Sequence, residues 1–102
     1  MTEYETVTTA IRNHVGAPAD PKYPDFYTPA QWRKRGEQYG LTAVAIVVHD
    51  GGAFAPHFNP AYHDWRALDA MIVALGDLRT PEAPRGYWSE PCTSWYTAIY
   101  RV

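Results

Sequence analysis

His49, Asp50, His57, His63 and Asp64 fall within sixteen residues of one another. Three imidazoles and two carboxylates are the donor types that hold a metal ion in a tetrahedral or facial site. Their spacing follows no established ligand pattern. If the segment is helical, the neighbours His63 and Asp64 diverge by about 100° and cannot aim at one point. A local reading accounts for each residue more simply. Asp50 serves a turn, Asp64 complements the dipole in the first turn of a helix, and the histidines pack or face water. The sequence therefore implies no cofactor, with His49, Asp50, His57 and His63 as the alternative metal set.

Nucleophilic chemistry has one candidate, Cys92-Thr93-Ser94 after Pro91, with His49 as the base if sheet pairing brings it near. No strand–turn–helix elbow surrounds Ser94, and no glycine-lined oxyanion hole is evident. A free cysteine is more often a small buried hydrophobe than a nucleophile. Asp50-Gly51-Gly52 has no following lysine and no helix start, so it fails the phosphate-loop and dinucleotide templates. No catalytic residue is assigned.

The aromatic residues carry more information. Tyr87, Trp88, Trp95, Tyr96 and Tyr100 crowd the last sixteen residues. Tyr and Trp dominate binding hot spots because they combine large apolar area with a polar handle. These five are the candidate partner-binding residues, with core packing as the competing use. Aromatic rows on a sheet also stack the bases of single-stranded nucleic acid, but that needs a basic groove. The formal charge is −2, with a pI near 6.0. The one dense basic run, Arg33-Lys34-Arg35, reads as a solvated helix face. The partner expected is a protein, and nucleic acid is disfavoured.

These side chains depend on the elements that carry them. Thr2 and Glu5 fit a capping box for a helix over 3–15, with Tyr4, Val7 and Ile11 on one stripe and Gly16 as its stop. The β-branched run Thr6 to Thr9 argues for a strand instead. Prolines 18, 21 and 24 mark a loop whose aromatics, Tyr23, Phe26 and Tyr27, lie against the core. Thr28-Pro29-Ala30-Gln31 opens a helix over 29–39 that buries Trp32, Gly36 and Tyr39 and ends at Gly40. Leu41 to His49 reads as a central strand buried on both faces. Asp50-Gly51 suits a hairpin turn, with Ala53 to Phe58 as the returning edge strand. Asn59-Pro60 opens a helix over 60–75 on the stripe Ala61, Trp65, Leu68, Ile72 and Leu75, stopped by Gly76. Residues 86–90 and 93–101 pair as a hairpin around Pro91. In its last strand Trp95, Thr97 and Ile99 face one way, and Tyr96, Ala98 and Tyr100 the other.

The fold class that follows is α+β: one domain of 102 residues, with a small, mainly antiparallel sheet of about four strands and the long helix packed on one face. A single cysteine, Cys92, excludes an internal disulfide and suits a reducing compartment. The N-terminal residues lack the basic-then-apolar order of a signal peptide. Ala43 to Val48 is far too short to span a bilayer. The expected setting is cytoplasmic, without membrane contact.

At Val47-Val48-His49-Asp50-Gly51-Gly52 and again at Cys92-Thr93-Ser94-Trp95-Tyr96-Thr97-Ala98-Ile99-Tyr100, the chain resembles small uncharacterised proteins encoded by bacteriophages and prophages. The likeness covers Leu41 to Val102 and transfers no activity. It implies context, because short standalone phage proteins without catalytic motifs are often inhibitors of host machinery, anti-CRISPR and other anti-defence proteins among them. The leading expectation is a non-enzymatic protein-binding module that inhibits a host defence complex in the host cytoplasm. One alternative is a small metal-dependent hydrolase or metal-binding protein built on the histidine cluster. The other is a structural accessory protein that forms a homo-oligomer through its sheet edge.

Overall fold

The computed structural model describes residues 1–17 and 25–102. Much of the proline-rich loop, from Pro18 to Pro24, therefore lies outside the described residues. Helix α1 (Glu3–Val15) forms as its capping box dictates. The Thr2 hydroxyl accepts from the Glu5 N–H, and the Glu5 carboxylate accepts from the Thr2 N–H. The threonines that argued for a strand are absorbed into the helix. Thr6 and Thr8 donate their hydroxyls to the carbonyls of Thr2 and Tyr4, one turn back.

Four strands, β1 (Phe26–Tyr27), β2 (Ala45–Val48), β3 (Tyr87–Pro91) and β4 (Tyr96–Arg101), form one antiparallel sheet in the order β1-β2-β4-β3. The inner strands β2 and β4 have a core on each face. On one side Val47 and Ile99 meet Val7 and Ile11 of α1 and Met71 and Leu75 of the long helix α4 (Trp65–Asp77). On the other, Ile46, Tyr96 and Ala98 enclose Trp32 of the short helix α2 (Pro29–Lys34). The unbroken apolar run at β2 is thus explained, since alternate residues feed opposite cores.

Several expected boundaries move. The central strand begins at Ala45 rather than Leu41. Helix α2 ends at Lys34 and not near Tyr39, because Gly36 takes the left-handed conformation at φ 80°. Tyr39 is consequently exposed. The returning strand at 53–58 does not form. Both sides of β2 are already occupied, by β1 and β4, and Ala55–Phe58 winds into a single helical turn, α3, with Pro56 in its first turn. The 60–75 helix is divided: Asn59 caps a 3₁₀ turn over Pro60–Tyr62, His63 turns the chain at φ 55°, and Asp64 is the true cap of α4, accepting from the Ala67 N–H. Trp95 sits in the turn before β4, where strand alternation does not apply. It packs against Trp32 and Tyr96 instead of sharing the face of Thr97 and Ile99.

Gly76 does not stop α4; the helix runs through it. A side chain at Gly76 would meet open space, so nothing in the packing requires glycine there; the constraint falls on Gly86, just before β3, where φ is 92° and any Cβ would collide with the Gly76 carbonyl. Among the described residues, no helix is long and apolar enough to cross a membrane.

Two glycine substitutions separate backbone strain from contact. Gly36→Ala, which meets open space, is expected to cost about 1 kcal/mol. Gly86→Ala adds a steric clash to the same left-handed strain and is expected to cost about 3 kcal/mol or more. Urea denaturation of both variants checks the order.

Candidate functional site

Helix α4 carries more apolar residues than one buried stripe can use. Met71 and Leu75 enter the core, whereas Trp65, Ile72 and Val73 are 57%, 59% and 60% exposed. Two adjacent rows therefore serve different ends: one holds the helix to the sheet, and the other lies in the open. Of the open residues, Trp65 and Ile72 face β3. Trp65, Leu68, Asp69 and Ile72 form one wall of a groove of about 410 Å3, Tyr87, Trp88, Ser89 and Pro91 form the other, and His57, Phe58 and Pro60 close one end. Asp69 is the one carboxylate in this lining.

The floor of the groove is informative. Along β3, Trp88 projects to the opposite face from Tyr87, Ser89 and Pro91, yet all four line the groove. It therefore wraps the outer edge of the strand and is not confined to one face of the sheet.

The five aromatic residues expected at a partner surface have different environments. Tyr87 and Tyr96 are buried, at 1% and 2% exposure, one in each core. They contribute to packing, because their strand positions turn the rings inward. Trp95 is half-buried against Trp32. Trp88 is 44% exposed and stacks on the half-buried Tyr100, with ring centroids 5.1 Å apart. Trp88 is the ring of the five that both lines the groove and stands exposed. Sequence reasoning missed Trp65, Leu68, Asp69, Ile72, Ser89 and Pro91. The available signal was the width of the apolar arc on α4, broader than a small core can cover.

Tyr87 also belongs to a polar clasp. Its hydroxyl donates to Glu3 Oε2 at 2.6 Å and lies 2.6 Å from Thr80 Oγ1. Arg101 grips the same carboxylate with two N–H donors, at 2.9 and 2.6 Å. The guanidinium holds the Glu3 carboxyl below the usual carboxylate range, while burial, helped by Glu3, pushes the Tyr87 hydroxyl up to about 12. A second concavity, about 470 Å3, opens beside Glu3, Tyr4, Thr42, Tyr100 and Arg101. Its two charged groups are spent on each other, so it offers a ligand little free charge.

The histidine cluster does not assemble. His49 is buried, its Nε2 lies 2.9 Å from Thr97 Oγ1, and its ring stacks on Phe58. Asp50 points into solvent in the turn. His57 packs edge-on against His14, and His63 lies beside Trp65. Among the described residues no three His, Cys, Asp or Glu side chains are placed to share a metal ion. The alternative set His49, Asp50, His57 and His63 is therefore not brought together in this structure, because the strand end, the α3 turn and the His63 bend direct the side chains apart. At Cys92, burial raises the thiol pKa, which disfavours the thiolate a nucleophile needs. Ser94 is exposed, and its carbonyl accepts from the Asn59 side chain.

Burial lowers the pKa of both His49 and His57, the latter with a contribution from His14. The folded protein keeps the rings neutral at a pH where the unfolded chain protonates them. Their contribution to stability is therefore present above about pH 6.5 and lost as pH falls toward the lowered folded values. Urea midpoints are expected to drop between about pH 7.5 and about pH 5.5, and His49→Gln is expected to shrink that drop.

Comparison of the chain with family models, with curated proteins and with solved structures finds no match.

Proposed function

We propose that the chain is a non-enzymatic protein-binding module that engages its partner through the groove between α4 and β3. The observation that carries this reading is the open apolar row Trp65, Leu68 and Ile72 facing the exposed Trp88, in a groove with a single carboxylate. A monomer gains nothing from leaving so many large apolar side chains on one contiguous surface, and such patches mark interaction sites. The mostly apolar lining with few polar groups matches the interior of a protein interface better than a site for charged metabolites.

The finer form of the proposal comes from the resemblance to small phage-encoded proteins. On that basis the partner is a component of a host defence complex, the role is inhibition, and the setting is the host cytoplasm. What supports it is the likeness at Val47–Gly52 and Cys92–Tyr100 together with a surface suited to binding.

Ile72→Glu places a charge in the groove at a position already exposed to water. It is expected to change folding stability by less than about 0.5 kcal/mol. Immobilised wild-type protein and this variant, each challenged with bacterial lysate, are expected to differ in one or a few retained proteins that the variant loses. Identical retained sets, or no retention by the wild type at micromolar concentration, would sink the proposal.

A further inference from the structure

We infer that the partner enters the groove as an extended polypeptide segment, adding a fifth strand along the outer edge of β3, a conclusion that rests on the groove being the binding site. The hydrogen-bond register shows which groups the edge offers. The Val102 N–H donates to the Gly86 carbonyl at 3.0 Å, and the Cys92 N–H to the Tyr96 carbonyl at 3.2 Å. The register pairs Trp88 with Tyr100 and Glu90 with Ala98. In an antiparallel ladder bonded pairs recur at every second residue, so Trp88 and Glu90 turn their backbone groups toward β4. Tyr87, Ser89 and Pro91 turn theirs outward. Tyr87 is covered, at 1% exposure, so among the described residues the open edge presents the N–H and carbonyl of Ser89 and the carbonyl of Pro91, on a strand that ends the sheet.

These backbone groups open into the same groove as the apolar row of α4. An extended segment laid there satisfies the edge with its own backbone, and its alternate side chains reach Leu68 and Ile72 on one side and Trp88 on the other. Pro91, with no N–H, ends the ladder and sets the length of the site at a few residues.

Charge selects among occupants. The acidic side chains are Asp69 in the groove wall and, outside the lining, Glu90 on the strand, on the face that carries Trp88. A second copy of this chain would bring the same carboxylates to the opposite side of the seam. A segment from another protein, apolar at alternate positions and carrying a lysine or arginine for Asp69, meets the groove with opposite charge.

The test is a displayed library of random short peptides panned against the full-length protein, with the selected peptides then synthesised with a fluorescent label. Binders are expected to share alternating apolar residues and a basic residue, and to weaken about tenfold or more against Asp69→Asn. Methylating every second backbone nitrogen of a binder is expected to abolish binding in one phase and spare it in the other. Ser89→Pro removes an outward N–H while leaving the β4 pairing, so it is expected to lose the peptide and keep its melting temperature. If Ser89→Pro unfolds, the methylated peptides still decide the matter. Peptides that tolerate methylation in both phases but fail against Ile72→Glu would overturn strand addition while leaving the groove as the binding site. Peptides insensitive to Ile72→Glu would overturn both. Sedimentation showing a dimer that Ser89→Pro dissociates would assign the edge to a second copy and overturn the inference.

Discussion

The close approach of Gly86 to Gly76 sets the geometry of everything around the groove. At that point a strand backbone passes against a helix carbonyl with no room for a Cβ, which brings the C-terminal end of α4 down onto the start of β3. From there the helix and strand run in opposite chain directions, and the space between them is lined by Ile72, Asp69, Leu68 and Trp65 on one side and by Tyr87 to Pro91 on the other. Met71 and Leu75 bind the inner side of the helix to the core, so its outer row is held open rather than free to collapse. The groove follows from how the helix is anchored.

A polar clasp restrains the same strand from another side. Glu3, at the start of α1, accepts from Arg101, at the end of β4, and from Tyr87 on β3. Two acceptor oxygens thereby tie the first helix to the last two strands, and Thr80 joins the connector after α4 to the same phenol. Charge-assisted and partly shielded from water, these bonds are stronger than ordinary surface pairs. They fix the side chain of Tyr87 inward and hold the start of β3 against the core, so the accessible part of its edge begins at Ser89.

The histidines show how sequence proximity fails to become a site. Within sixteen residues the chain passes from a strand end through a turn, a single turn of α3, a 3₁₀ turn and a left-handed bend before entering α4. Each change of backbone direction turns the next side chain elsewhere. His49 ends up against Phe58 and Thr97, and His57 against His14, a residue from a distant helix.

Local signals in the sequence determined the capped starts of α1 and α2, the antiparallel hairpin of β3 and β4, the buried central strand and the α+β class. Each rests on a short-range cause: a hydroxyl within reach of an N–H three residues on, a proline at a helix start, or β-branched side chains alternating between two cores. Tertiary structure alone decided which apolar residues were left over. Trp65 and Leu75 belong to the same helical pattern, and Tyr87 and Trp88 are neighbours in the chain, yet in each pair one residue is exposed and the other buried. Periodicity identifies which residues share a face, but the neighbour that covers that face comes from elsewhere in the chain. Here α4 is turned so that part of its apolar surface meets the sheet and the rest overhangs its edge, and the groove exists only once helix and strand are packed together.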